Sequence, residues 1–173
     1  VRKLMDDIVA EQESKRKSEL DALQSQINPH FLYNTLDSIV WMIENERYEG
    51  AVTMVTALAR LFRISLSKGK NIITVEDELE HVRNYLTIQK MRYKNKFSYE
   101  IITEPAVLQC ATIKLIVQPL VENAIKHGVE PSPEGADVRI TTQRRGGTVV
   151  VKVTNTVGRS GRVSSGHGIA LDN

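Results

Sequence analysis

Apolar side chains recur at intervals of three and four residues in two stretches of the first half of the chain. Residues 20–46 carry the first stretch, and residues 52–66 carry the second, which ends near a basic turn and Gly69. This spacing is typical of amphipathic helices, and the short polar connection at residues 45–50 predicts an antiparallel hairpin. Such a hairpin covers only part of each apolar stripe, so we expect a second copy of the chain to complete a four-helix bundle.

The segment before the hairpin, residues 1–19, has helical propensity but a fully polar middle, EQESKRKSE. Two interpretations stay open for it. The segment is either a solvated helical lead-in or an input coiled coil that dimerises and relays a signal.

A third helix is predicted over residues 75–93, because Thr74 can cap it and the acids at 76–78 suit its first turn. Residues 112–127, TIKLIVQPLVENAIKH, predict a further apolar helix that stops at Gly128.

The second half of the chain also carries strand and turn signals. Alternating residues predict strands at 97–103, 138–143 and 148–153, the last two joined by the turn Arg144-Arg145-Gly146-Gly147. Eight of the ten glycines follow residue 127, and the glycine- and serine-rich segment 155–168 predicts a flexible loop. The expected fold class is therefore α+β, with a helical first half.

The composition of the chain argues against several classes of protein. The 173 residues are 41% hydrophobic and carry a net charge of +2, with no basic recognition stripe, which argues against a DNA-binding helical protein. The single cysteine, Cys110, cannot form an intramolecular disulfide and suits a reducing compartment. No apolar run approaches the ~20 residues that cross a bilayer, so we expect the chain itself to be soluble.

The first candidate for chemistry is His30, in the string QINPHFLYN. Pro29 inside a periodic helix either kinks it or restarts it, and His30 then lies near the solvent face. A neutral imidazole offers a nucleophilic nitrogen that can accept a phosphoryl group. A lone helical histidine is, however, more often structural or solvated than reactive.

The second candidate is QPLVENAIKHG, where polar residues interrupt an apolar helix. An amide oxygen from Asn123 suits Mg²⁺, and Lys126, about one turn away, suits a phosphate. Glu122 and His127 are its other polar members. The alternative interpretation is that all four simply form the wet side of the helix.

The third candidate is the string GHGIALDN. The pair Gly166 and Gly168 before an aliphatic run fits a phosphate-cradling loop that leads into a helix N-terminus. Alone this is a weak signal, because many surface loops have similar composition.

In this order, the three strings resemble the sensor histidine kinases of the LytS/YesM type. LQSQINPHFLYNTLDSI is similar to their phosphoacceptor box, IQPLVENAIKHG to their N box and GHGIALDN to their second glycine box. The resemblance implies a dimerisation and histidine phosphotransfer hairpin at residues 20–68, a linker and connecting helix at 69–93, and a Bergerat-type ATP-binding α/β sandwich at 94–173. The lid and the C-terminal end of that sandwich look partly missing.

The resemblance also implies an activity. His30 would take the γ-phosphoryl group of ATP and pass it to an aspartate of a response regulator's receiver domain. Asn123 would hold Mg²⁺, Lys126 and His127 would approach the phosphates, and Gly166 with Gly168 would form the hinge of the ATP lid. A hinge near residues 69–74 would bring His30 and the nucleotide together.

Two residues depart from the pattern of other histidine kinases. Phe31 follows the phosphoacceptor where many kinases carry an acid, so the base is open: Glu122 is one candidate, and Asn34 is a candidate for orienting the ring or a water. Asn155 stands where an Asp-x-Gly carboxylate would read the adenine amino group, and an amide accepts that hydrogen bond less strongly.

The alternative function is a non-catalytic dimeric adaptor or a degenerate GHKL nucleotide-binding module. If the chain is a histidine kinase, we expect it to be the cytoplasmic portion of a membrane sensor whose receptor part lies upstream. Of the remaining residues, we expect His81 to be solvated, Trp41 to pack in the bundle and Cys110 to act as a small half-buried hydrophobe.

Overall fold

The computed structural model describes residues 28–65, 71–132, 135–157, 162–163 and 169–172. Its first two helices, α1 (Pro29–Glu44) and α2 (Tyr48–Ser65), are joined by three residues and form the predicted hairpin. A third helix, α3 (Val75–Arg92), packs along α2. The predicted lead-in at residues 1–19 and the first predicted residues of the hairpin, 20–27, lie outside the described residues.

Within the described residues, α1 begins at Pro29. The side chain of Asn28, in an extended conformation, accepts hydrogen bonds from the backbone N–H groups of His30 at 3.1 Å and Phe31 at 3.4 Å. Proline is well tolerated in the first turn of a helix, where its missing N–H costs nothing. Of the two predicted outcomes, a kink or a helix start, the structure therefore shows a start.

Helix α3 matches its predicted bounds to within a residue. Thr74 Oγ1 accepts a hydrogen bond from the Asp77 N–H at 3.0 Å, and Glu76, Asp77 and Glu78 occupy the first turn. The cap and the acidic first turn are the signals from which the sequence predicted this helix.

The remaining elements build two sheets and a short helix. In chain order they are β1 (Ile72–Thr74), β2 (Phe97–Thr103), a 3₁₀ turn (Pro105–Val107), β3 (Ala111–Ile113), α4 (Gln118–Ala124), a π turn (Ile125–Val129), β4 (Ala136–Arg145), β5 (Thr148–Val157), β6 (Arg162–Val163) and β7 (Ile169–Asp172).

Five of these strands form one mixed sheet. Strand β2 pairs in parallel with β4, and β4 pairs antiparallel with β5, with Val138 opposite Asn155. The other edge of β5 pairs with β6 near its end and with β7 near its beginning. Strands β1 and β3 make a separate antiparallel pair. The chain is thus α+β, as predicted.

One hydrophobic core runs through all the layers. It combines buried residues of the hairpin, such as Met54, with Leu86 of α3, Val121 of α4 and Ile140 of the sheet. The helical hairpin and the sheet therefore share buried surface.

The predicted helix over residues 112–127 is wrong in its first half. Residues 111–113 form β3, a four-residue connection follows, and α4 starts only at Gln118. A helix from residue 112 would place Pro119 in its interior, where proline removes a hydrogen bond and clashes with the preceding turn. The helix also does not stop at Gly128, because the π turn continues to Val129.

The predicted loop at residues 155–168 is also partly wrong. Residues 155–157 belong to β5, and Arg162–Val163 pairs with its end. Residues 169–172, expected to lead into a helix, instead form β7, which pairs antiparallel with residues 148–151 of β5. Gly166 and Gly168 lie outside the described residues.

Trp41 does not pack inside the hairpin of one chain. It is 45% exposed, and the Arg47 guanidinium lies 5.7 Å from its ring centroid. Cys110 is half-buried against the core, as expected. Within the described ranges, no helix combines the length and the apolar character that a membrane span requires.

Candidate functional site

His30 lies in the first turn of α1 and is exposed, as predicted. The next residue, Phe31, is buried and packs against Tyr85 of α3 with ring centroids 5.3 Å apart. This contact fixes the first turn of α1, and residues on neighbouring helix positions face in different directions. Phe31 therefore anchors the turn that presents His30 to solvent.

Asn34 lies one turn after His30. Its Nδ2 is 3.1 Å from both ring nitrogens of His30, so it can donate a hydrogen bond to either one, according to the tautomer. The structure thus brings together two of the predicted site residues.

Glu122 lies on α4 and is half-buried. Its Oε1 accepts a hydrogen bond from Gln118 Nε2 at 2.7 Å. Glu122 also lines a small cavity with Asn28 and Phe31, the residues that flank Pro29 and His30. Helix α4 and the start of α1 therefore meet at one end of the hairpin.

Asn123, Lys126 and His127 are all exposed, on α4 and the π turn that continues it. Such π turns occur frequently at functional sites. In the part of the chain that the structure describes, no group of three or more His, Cys, Asp or Glu residues could hold a metal ion. The exposed amide oxygen of Asn123 nevertheless fits Mg²⁺, which binds through few protein ligands when phosphates and waters complete its shell.

Asn155 on β5 lies against the backbone of Gly128 in the π turn. A Cβ added to Gly128 would lie only 2.3 Å from Asn155 Nδ2, so a glycine is needed for this approach. Two distant positions of the sequence, the end of the predicted N box and the replaced Asp-x-Gly residue, are thus in contact.

A larger cleft of about 1310 Å³ lies at the opposite end of α1 from His30. Trp41, Arg47 and Met91 are among its lining residues, and none of the predicted site residues line it. The size of this cleft does not identify it as the functional site, because the predicted site residue His30 lies at the other end of the hairpin.

Sequence reasoning missed Glu78, which is 1% exposed. Its two carboxylate oxygens accept hydrogen bonds from the backbone N–H groups of Leu115 and Val117, each at 2.8 Å. Burial raises the pKa of Glu78, and the backbone hydrogen bonds oppose that rise. A signal was present, since Glu78 is four residues before the apolar Val82 and shares its inward face.

His81 is not solvated, contrary to our expectation, but fully buried. Ser65 Oγ donates to the Leu61 carbonyl at 2.9 Å, so His81 Nε2 acts as the donor to Ser65 Oγ, at 2.8 Å. Its Nδ1 has no hydrogen-bond partner among the described residues. Burial, and secondarily the positive charge of Lys114, lower the pKa of His81 to about 4.

Lys114 connects the loop before α4 with the hairpin. Its Nζ donates to the Ser65 carbonyl at the end of α2 at 2.9 Å, and its backbone N–H donates to the Asn71 carbonyl at 2.9 Å. A cation is favourable at a helix C-terminus, where carbonyl groups lack intrahelical partners. This bond joins the predicted hairpin region directly to the predicted nucleotide region.

Comparison with known proteins relates the sequence of the chain to histidine kinases. The sequence model of the family described as Histidine kinase matches residues 18–97, which include His30 and helices α1 to α3. The sensor histidine kinase YesM of Bacillus subtilis (strain 168) is 38% identical over 177 aligned residues, covering 100% of this chain and 31% of YesM. Residues 18–97 thus match the histidine kinase family, and the chain as a whole is similar to sensor histidine kinases of the LytS/YesM type.

Other LytS/YesM-type relatives show the same partial coverage. The sensor histidine kinase BtsS of Escherichia coli (strain K12) is 32% identical over 156 residues, covering 90% of this chain and 28% of BtsS. The sensor histidine kinase/phosphatase LytS of Staphylococcus aureus (strain Mu50 / ATCC 700699) is 32% identical over 166 residues, covering 94% of this chain and 27% of LytS. The chain therefore spans less than a third of the length of these three relatives.

Proposed function

We propose that this chain is the kinase region of a two-component sensor, which phosphorylates His30 with ATP and passes the phosphoryl group to a receiver-domain aspartate of a response regulator. The match to the histidine kinase family supports the reaction class. The observation that carries the proposal is the position of exposed His30 at the end of the hairpin where α4 also packs. Phosphoryl transfer requires mainly positioning and charge neutralisation.

In this reaction the unprotonated ring nitrogen of His30 attacks the γ-phosphorus of ATP. A P–N bond forms while the P–O bond to ADP breaks, and the ring then loses one proton. Asn34 Nδ2, 3.1 Å from both ring nitrogens, is the group we assign to orient the ring before the attack, and its hydrogen bond to the unprotonated nitrogen must break as the P–N bond forms. Glu122, which lines the cavity beside Asn28 and Phe31, is our candidate for the proton acceptor.

The nucleotide would lie along α4 and the π turn. Asn123 would hold Mg²⁺, and Lys126 and His127 would contact phosphate oxygens, which their exposure allows. Bound Mg²⁺ would neutralise charge on the phosphates. Asn155 would accept a hydrogen bond from the adenine amino group, and Gly166 with Gly168 would form the hinge of the lid.

We assign residues 20–68 to the phosphotransfer hairpin, 69–93 to the linker and connecting helix, and 94–173 to the ATP-binding domain of Bergerat type. The lead-in at 1–19 would carry the signal from upstream. The chain would thus be the cytoplasmic portion of a membrane sensor, in keeping with relatives named sensor kinases.

A homodimer is part of the proposal. Large apolar residues stay exposed along α1 at spacings of three, four and three, and along α2 at spacings of four and three. They are Tyr33, Leu36, Val40 and Ile43 on α1, and Tyr48 and Val52 with Val55 on α2. This spacing is that of a helical-bundle seam, so a second hairpin would bury both stripes.

Labelling with [γ-³²P]ATP and Mg²⁺ tests the proposal in the full-length protein. We expect acid-labile, base-stable label on the wild type and none on His30→Ala, which should still bind ATP. Asn123→Ala should lose both ATP binding and label. Label that persists on His30→Ala at the wild-type level would contradict the assignment.

A non-catalytic dimeric adaptor is the second candidate, favoured by Asn155 in place of the family's aspartate. An amide accepts a hydrogen bond from an amino group less strongly than a carboxylate does. A full-length protein that dimerises but neither binds ATP nor accepts label would support the adaptor and exclude the kinase.

A further inference from the structure

The carboxylate of Glu78 takes the place of an N-terminal cap for α4. The residue that precedes α4, Val117, makes no capping hydrogen bond through its own side chain. Instead, Glu78 Oε1 accepts from the Val117 N–H, and Glu78 Oε2 accepts from the Leu115 N–H, both at 2.8 Å. A helix start normally has unsatisfied N–H groups, which a negative charge stabilises.

The connection that Glu78 holds has an unfavourable conformation. Leu115 has a φ of +63°, in the left-handed region that a branched side chain adopts only at a cost. The hydrogen bond to the Leu115 N–H helps to hold this residue in place. Without it, we expect the connection between β3 and α4 to adopt other conformations.

Burying Glu78 costs free energy at neutral pH, because an ionised carboxylate loses its hydration. Its raised pKa agrees with that cost. The hydrogen bonds to two backbone N–H groups offset part of the cost. A buried carboxylate whose hydrogen bonds go to the start of one short helix indicates that the protein needs this helix to begin at a fixed position.

Helix α4 has only seven residues, so its direction depends on how it starts. Asn123 lies six positions after Val117, and Lys126 lies nine positions after it. A displacement at the start of α4 would move both exposed side chains together.

We propose that Glu78 is a positioning residue of the nucleotide site, which acts through Leu115 and Val117 to place Asn123 and Lys126 for Mg²⁺ and phosphate. This inference rests on the proposed function. Because Glu78 belongs to the connecting helix α3, it would also make the nucleotide site depend on the position of that helix.

Glu78→Gln tests this role in the full-length protein, because it keeps the shape but replaces one acceptor oxygen with an NH₂ group. We expect the Kd and KM for MgATP to rise about 10–100-fold, the usual effect of losing a residue that orients a ligand-binding group. The rate of His30 labelling at saturating ATP should fall much less. The matched control is Glu80→Gln, two residues on and half-exposed, which should leave the Kd unchanged.

A second variant separates positioning from a general loss of stability. Glycine adopts a positive φ without strain, so Leu115→Gly added to Glu78→Gln should restore part of the ATP affinity. Hydrogen exchange should show faster exchange of the 115–124 amides in Glu78→Gln, and slower exchange in the double variant.

The outcomes separate the two proposals. If the wild type binds no MgATP, the proposed kinase function fails and this inference fails with it. If the wild type binds MgATP and Glu78→Gln binds it equally well, the positioning role alone is overturned. A fall in labelling rate without a change in KM would also overturn it, as would an unchanged affinity in the double variant relative to Glu78→Gln.

Discussion

The pKa of His81 shows how strongly the surroundings of a single side chain can change its protonation. It lies on α3 between Ser65 at the end of α2 and the positive charge of Lys114. Both burial and that charge disfavour the imidazolium form, so the folded protein holds this ring neutral. The same surroundings couple the stability of the fold to pH.

His81 should make the protein sensitive to acid. Its pKa falls from 6.5 to about 4 on folding, so its stabilising effect is complete above pH 6.5 and is lost as the pH falls toward 4. The full loss is on the order of 3 kcal/mol. Urea unfolding at pH 7 and at pH 4.5 should show most of this loss in the wild type and a much smaller loss in His81→Leu.

His30→Gln is the control, since exposed His30 makes no buried contact of this kind. It should keep the wild-type dependence on pH. Glu78 acts in the other direction, because its raised pKa favours folding at low pH and that contribution is lost as the pH rises. An unchanged acid sensitivity in His81→Leu would show that other groups cause it.

At the scale of elements, the contact between the π turn and β5 depends on a residue with no side chain. Gly128 leaves the space that the Asn155 amide occupies, and a Cβ there would be 2.3 Å from Nδ2 and 2.9 Å from Cγ. The two elements can therefore approach closely only if one of these positions stays small.

Gly128→Ala should destabilise the chain by about 1–3 kcal/mol, the usual cost of inserting atoms into a packed contact. Asn155→Ala alone should cost less, because it only removes atoms from a half-buried position. The double variant should regain part of the loss, since only the Cβ of residue 155, 3.1 Å from the new methyl group, then remains close. Urea denaturation of the four proteins measures this coupling, and strictly additive effects would contradict it.

The elements differ in how well the sequence predicts them. Helix α3 was predicted because Thr74 caps it and acids fill its first turn, both of which are local signals. The start of α4 was not predicted correctly, because the apolar run from residue 112 suits a strand as well as a helix. Pro119 was the available local signal that a helix could not run through this region.

At the scale of the whole molecule, the hairpin has two apolar sides. Residues such as Ile39 and Met54 are buried against the rest of the chain. On the outer side, Val40 is 52% exposed and Val52 is 65% exposed. Apolar stripes on neighbouring helices favour association with another helical surface, which is the proposed second hairpin.

Val52→Asp should weaken the proposed dimer, because it would bury an unpaired carboxylate in the bundle. Sedimentation equilibrium should show at least a tenfold weaker association, about 1.4 kcal/mol. The neighbouring change Thr53→Asp, also on exposed α2 surface but turned about 100° around the helix, is the control. A dimer of unchanged affinity in Val52→Asp would exclude the seam we propose.

The sequence alone determined the hairpin, the connecting helix, the strands of the β4–β5 hairpin and the exposed position of His30. These follow from short-range patterns of polarity, capping and turn residues, which act over a few positions. The three motifs also indicated the family, which the comparisons support.

Only the tertiary structure decided which distant groups meet. It buried His81 against Ser65, placed Glu78 at the start of α4, brought Asn155 against Gly128 and set Glu122 beside the start of α1. Each contact joins residues at least 16 positions apart in the sequence, beyond the reach of any local period. Their burial and hydrogen bonds depend on how α3 packs between the hairpin and the sheet, and local sequence patterns do not contain that information.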